Sequence, residues 1–280
     1  MTNPFHNHHE ATKTGIRMLE LFDTGRPTQK RRHSIVFVHG AWHAAWCWQE
    51  NFVAFFVDRG FRVLAPSLRG HGHSSLSKSL RLCSIADYVT DLCEVVGSLP
   101  EPPILVGHSM GGFVVQKYLE THDAPAAVLM ASTPPRGGQL DSVMRMICRH
   151  PWRSTKFALT ANPLDLVGTS AGARQLFFGE DAPDSLVDSF TRLIQPDSTR
   201  AMMFDTVVGD LVKTKKVRSP MLIIGGEHDQ IYRPKHVRRT AAAYGTKPVL
   251  IPGVGHEMML EPQWRAVAGL IESWLTNQGL

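Results

Sequence analysis

The chain contains no apolar run of about 18 residues, the length a helix needs to cross a bilayer, so no membrane span is expected. It also lacks a charged N-terminal region followed by a short apolar stretch, so no secretory signal is expected. Only four cysteines occur, Cys47, Cys83, Cys93 and Cys148. None forms a Cys-x-x-Cys pair, and their spacing matches neither a disulfide framework nor a zinc site. Free thiols in a reducing compartment fit this pattern, and the expected location is cytoplasmic. No basic stripe interleaved with aromatics is present. The net charge of +5 comes from scattered residues. The clusters Lys30-Arg31-Arg32 and Lys213, Lys215, Lys216 and Arg218 read as solvated loop faces. Nucleic acid is therefore not an expected partner. His6, His8 and His9 sit in a polar tail without cysteine or acidic partners at ligand spacing, so no metal is expected there, and no cofactor is called for. No internal repeat is visible.

The 280 residues, 43% of them apolar, suffice for one large α/β domain with an insertion. Residues 1–13 read as a flexible leader. Short apolar runs alternate with helical patterns, which argues a mostly parallel twisted sheet covered by helices on both faces. Strands are expected at 16–22 (antiparallel), 35–38, 61–65, 104–106, 127–131, 220–224 and 249–251. Helices are expected at 48–59, with Gly60 as its stop, at 85–99, with Ser84 as its cap, at 112–120 and at 262–275. The closing helix carries Trp264, Val267, Leu270, Ile271 and Trp274 at helical spacing. The alternation fails from about residue 134 to 213. That segment has no strong strand, only helical stretches at 140–150, 171–178, 184–194 and 199–211.

Chemistry enters at Gly107-His108-Ser109-Met110-Gly111. A buried strand precedes this pattern and a helix follows it, the context of a nucleophile elbow. Glycines at 107 and 111 relieve backbone crowding in so tight a turn. Two later strands end in glycine-rich loops with one polar residue each: Gly225-Gly226-Glu227-His228-Asp229 and Pro252-Gly253-Val254-Gly255-His256. A serine hydroxyl is a poor nucleophile at neutral pH, so a base must take its proton, here His256, and an acid must orient the base. Asp229 fits that role, with Glu227 and Asp205 as rivals. The order Ser109, Asp229, His256 is that of the α/β-hydrolase triad and not of the chymotrypsin or subtilisin types. His108 reads as structural, with its side chain directed away into the sheet.

These features resemble the α/β-hydrolase superfamily from roughly residue 15 to the C-terminus. The front stretch Val38-His39-Gly40-Ala41-Trp42-His43-Ala44-Ala45-Trp46-Cys47-Trp48 is similar to the opening of plant methylesterases and hydroxynitrile lyases, and of many bacterial esterases. The resemblance implies oxyanion-hole donors at the backbone N–H groups of Ala41 and Met110, each contributing about 3–4 kcal/mol to the barrier. It implies that His39 supports this loop by hydrogen bonding. Arg69-Gly70-His71-Gly72-His73-Ser74 resembles a family loop and reads as a glycine-shaped turn. The resemblance divides the chain into a core, 14–133 and 214–280, and a helical cap, 134–213. Cap residues Phe177, Phe178 and Met203, with Trp42 beside the oxyanion loop, are the candidate substrate contacts. Their alternative is packing of the cap onto the core.

The resulting expectation is a serine hydrolase acting through an acyl-enzyme on a carboxylic ester of a small to medium, largely apolar molecule. An acyltransferase or C–C bond hydrolase would use the same triad. A non-enzymatic binding protein would have no need of three intact groups. Hydroxynitrile lyases place a threonine where Gly40 stands and a lysine where Glu257 stands, and a negative charge there opposes a cyanide leaving group. Haloalkane dehalogenases and epoxide hydrolases use aspartate where Ser109 stands. Composition leaves the oligomeric state open.

Overall fold

A computed structural model describes residues 18–137, 144, 145, 148, 151–160, 164–209 and 211–280. The expected leader and most of the expected helix at 140–150 lie outside these residues.

Among the described residues, seven strands form one sheet in the order β1-β3-β2-β4-β5-β6-β7. They are β1 Leu21–Thr24, β2 Ile35–Val38, β3 Val63–Pro66, β4 Ile104–His108, β5 Ala127–Met130, β6 Met221–Gly226 and β7 Pro248–Ile251. β1 runs antiparallel to β3, and every other pairing is parallel. β2 through β6 are buried on both faces, which is why they read as unbroken apolar runs. β1 begins at Leu21, opposite Pro66, so residues 18–20 of the expected strand fall outside it, and residues 16 and 17 lie outside the described residues. Register levels the carboxyl ends: Val38 lies opposite Gly107, His108 opposite Met130, Met130 opposite Ile224, and Gly226 opposite Ile251. Loops leaving β2, β4, β6 and β7 therefore meet along one edge, where parallel sheets place their ligands.

Helices cover the sheet. The stretch after β2 is helical from Trp46 to Val57, its middle turn Gln49–Val53 widened to π geometry. Trp48, Phe52 and Phe56 from it pack on Phe37, with ring centroids 4.7, 5.9 and 5.7 Å away. Each such side chain contributes roughly 1.5–3 kcal/mol of burial. Helix Ile85–Gly97 opens with a capping box in which Ser84 and Asp87 satisfy each other's backbone N–H groups. Met110–Tyr118 follows β4, Pro234–Ala243 follows β6 and Trp264–Asn277 closes the chain. Pro234–Ala243 was not expected. Its buried face is His236, Val237, Thr240 and Ala241, half of it polar, so no apolar stripe announces it.

Between β5 and β6, the described residues hold only helical elements: Pro151–Thr160, Leu164–Val167, Ser170–Phe177, Asp184–Leu193 and a π-type stretch, Arg200–Gly209. The first two were not expected, and exposed Trp152 and Leu159 explain why no clean amphipathic pattern marks them. Hydrogen bonds that involve the backbone tie this segment to the rest. The Phe177 carbonyl accepts the His256 and Glu257 N–H groups at 2.6 and 3.1 Å. Gly179 N–H donates to Glu261, Asp197 accepts from Trp42 N–H, and Asp205 accepts from Ile85 N–H.

Candidate active site

Ser109 sits between β4 and its helix with φ 52° and ψ −120°, a left-handed conformation that costs a side-chain-bearing residue about 1–3 kcal/mol. The surroundings over-determine it. Ser109 N–H donates to the Met130 carbonyl at 3.0 Å, and its own carbonyl accepts from Gly112 and Thr133. A Cβ on Gly107 would fall 2.6 Å from the Gly112 Cα, and one on Gly111 would enter the carbonyls of Val38 and His39. Only glycine permits that approach, so the pattern around the serine is a packing requirement.

Asp229 and His256 leave the ends of β6 and β7 and meet. His256 Nδ1 lies 2.8 Å from Asp229 Oδ2, with both side chains buried. The other carboxylate oxygen accepts from the N–H groups of Ile231 and Tyr232 at 2.7 and 2.8 Å, which fixes the acid. Burial opposes a charged imidazole, but Asp229, by charge and hydrogen bond, lifts His256 above the ordinary histidine value. Neither rival acid is here. Glu227 is exposed. Asp205 caps helix Ile85–Gly97 through the Ile85 N–H at 2.9 Å.

His108 is not directed away as expected. Its Nε2 lies 3.0 Å from the His256 carbonyl and its ring 4.7 Å from the His256 ring, because the β7 loop crosses the end of β4. Burial, with His256 and His43 nearby, pushes its pKa down to about 3, so it is neutral and donates from Nε2.

Gly40 lies against the serine: a Cβ on it would be 2.9 Å from the Ser109 Cβ. His39 Nδ1 faces the Gly40 carbonyl at 2.8 Å while its Nε2 accepts from Leu68 N–H at 2.9 Å. Burial, with His71 close by, holds it well below the usual range, so it is a neutral brace. Trp42 takes a positive φ of 66° and is pinned by its N–H to Asp197 at 2.7 Å. The turn at 69–74 has the glycine geometry expected, with φ of 78° at Gly70 and 54° at Gly72. It also carries a buried charge network. Arg69 grips Asp91, and His71 Nε2 lies 3.0 Å from Asp197, off the line of a good hydrogen bond.

Phe177 is buried with its ring 5.9 Å from His256, 5.6 Å from Trp42 and 5.1 Å from Phe190. Phe178 packs edge-on against Phe190 at 5.1 Å. Of the two neighbouring methionines, Met202 packs on the core and Met203 is half-buried. Sequence reasoning passed over His43, Asp197 and Glu261, and used Glu257 only to argue against lyase chemistry. His43 Nε2 lies 3.0 Å from Glu257 Oε2, and no spacing rule pairs residues 214 apart. Glu261 accepts from Gly255 and Gly179 N–H at 2.8 and 3.0 Å. Donor atoms of His108, His256 and Glu257 come within 4.8 Å of one another. Asp229, the His256 carbonyl and His43 engage one atom of each, while His108 Nδ1 and Glu257 Oε1 are buried without a hydrogen-bond partner.

Strands that deliver serine, acid and histidine in that order to one sheet edge describe the α/β-hydrolase class of protein. Residues 35–270 match the Alpha/beta hydrolase family, and the chain belongs to it. Among curated relatives, Methylesterase 10 of Arabidopsis thaliana is 35% identical over 122 residues, covering 36% of this chain and 43% of that protein. The chain thus spans less than half the length of that relative. A non-heme haloperoxidase of Rhodococcus erythropolis is 28% identical over 252 residues, covering 84% and 87%. The solved esterase from Exiguobacterium antarcticum superposes with a TM-score of 0.74 at 20% identity over 93% of this chain and 96% of its own, a likeness of fold.

Proposed function

We propose that the protein hydrolyses a carboxylic ester of a small to medium, largely apolar molecule through an acyl-enzyme on Ser109. The observation that carries this reading is the buried His256–Asp229 pair, 2.8 Å apart, at the sheet edge where the strained serine turn lies. With Nδ1–H given to Asp229, His256 has Nε2 left to take the Ser109 proton. The serine oxygen attacks the ester carbonyl, and the N–H groups of Ala41 and Met110 receive the oxyanion. His256 then protonates the departing alcohol. A water activated by the same nitrogen releases the acid and restores the serine. Phe177 against His256 favours an apolar acyl or alcohol group. The plant relative named as a methylesterase supports the choice of ester over amide.

The test is Ser109→Ala together with a serine-directed phosphonate. Turnover of p-nitrophenyl esters should fall at least about a thousandfold with the fold intact, and the phosphonate should label Ser109 alone. Full activity in the variant, or label on another serine, would sink the reading. Amides and β-diketones in the same panel separate ester cleavage from C–C cleavage.

A further inference from the structure

His43 stands two residues beyond Ala41, its ring buried against Trp46, Phe190 and Phe177. Its Nδ1 lies 2.5 Å from the Ala41 carbonyl oxygen and its Nε2 3.0 Å from Glu257 Oε2. Both partners are oxygens, and a neutral imidazole carries a single N–H. The two contacts are satisfied together only by an extra proton shared across the His43–Glu257 contact. Around Glu257 stand His43 from the oxyanion loop, His108 from the end of β4, Cys47 from the following helix, and Asp229, His256 and Glu261 from the loops beside it. Burial alone would raise the Glu257 carboxyl, but His43, His108 and His256 bring it down to about 2. The added proton lies between His43 Nε2 and Glu257 Oε2. The carboxylate end of the pair lies next to His256 in the chain, and the imidazole end faces the Ala41 carbonyl. The second carboxylate oxygen, Oε1, is buried without a hydrogen-bond partner, a cost that stability gives no reason to carry. A buried ion pair also adds little stability over an apolar pair of the same shape.

Proton transfer from Ser109 to His256 creates positive charge on the imidazole and negative charge on the carbonyl oxygen beside Ala41. The His43–Glu257 pair is oriented to oppose this separation of charge, with its carboxylate beside the new positive charge and its imidazole toward the loop that receives the new negative one. We propose that this pair is a positioning device for the hydrolytic reaction: Glu257 favours the charged form of His256, and His43 holds Ala41 in place through its carbonyl. The proposal rests on the serine-hydrolase reading.

Two variants test it, Glu257→Gln and the double variant His43→Leu/Glu257→Met, which exchanges the pair for apolar side chains. Three quantities are read: kcat and KM on a p-nitrophenyl ester, the pH profile of kcat/KM, and the NMR titration of the His256 ring in the resting protein. In both variants kcat should fall roughly 10-fold to 100-fold with KM changed less than about threefold, because the lost interaction belongs to the transition state. The His256 titration and the acid limb of the profile should move together to lower pH, since a negative neighbour has been removed. The double variant should melt at or above the wild-type temperature while remaining slow. Wild-type kcat and an unmoved His256 titration in either variant overturn the proposal, as does unfolding of both, which would make the pair a stability element. Failure of the phosphonate to label Ser109 strikes the hydrolase reading instead, and the His256 titration still reports whether Glu257 acts on that ring.

Discussion

Asp229 and Glu227 are two residues apart in one loop, yet one is buried against His256 and the other faces solvent. That difference favours Asp229 as the acid of the proposed reaction. Asp229→Asn should keep the shape but favour the wrong imidazole tautomer, lowering kcat by up to about ten-thousandfold, whereas Glu227→Gln should be nearly silent. The reverse result would move the acid by two residues. Because Asp229 lifts His256 above the ordinary histidine value of 6.5, the neutral base appears later on the pH scale. The wild-type kcat/KM should therefore rise through an apparent pKa above about 6.5 and then level off. A profile flat from about pH 5 to 9 would remove His256 as the base. At this scale the sequence was informative where backbone geometry demanded a residue type. Gly107 and Gly111 have no alternative beside Ser109, so the turn was readable. His108 was misread because its partner, the His256 carbonyl, arrives on a loop 148 residues away.

The strands were legible because burial on both faces leaves little but apolar residues in β2 through β6. Elements whose buried face mixes polar and apolar residues, such as Pro234–Ala243, left no such trace. The loop after β7 is held by a carboxylate that no motif announces. Glu261 takes the N–H groups of Gly255, beside the base, and Gly179, in the helical insertion. Burial raises its pKa to about 7 against the opposing pull of those two donors, with Glu257 and Asp229 adding to the rise. A folded pKa above the ordinary 4.5 means that the folded protein holds this proton more tightly than the unfolded chain. The resulting stability is fully present below about pH 4.5 and is lost as pH rises through about 7. Glu261→Gln should therefore shrink the drop in Tm between about pH 5 and 8, by a few degrees for a chain of this size. An unchanged slope by circular dichroism would show that Glu261 is already ionised throughout.

Across the whole molecule, the insertion between β5 and β6 sets apolar side chains beside the sheet edge. Its helices were expected in outline at 171–178 and 184–194, but which side chains turn inward depends on packing that no single-helix pattern contains. Phe177 meets His256 and Trp42, while Met203 is half-buried on its wide turn. Each buried methylene of an acyl chain contributes up to about 0.8 kcal/mol, so specificity should climb from acetyl toward medium chains until the space is filled. Phe177→Ala should shift that optimum toward longer chains without abolishing turnover, and Met203→Ala should shift it less. If both variants only lower Tm, the side chains are packing, and the substrate lies nearer Trp42. The Phe177 carbonyl does something besides support this wall. By receiving the N–H groups of His256 and Glu257, it makes departure of the insertion and release of the histidine loop a single event. The His256 amide hydrogen, though in a loop, should exchange with deuterated solvent as slowly as one inside a strand. Its exchange rate would then serve as a clock, counting how often the two segments part.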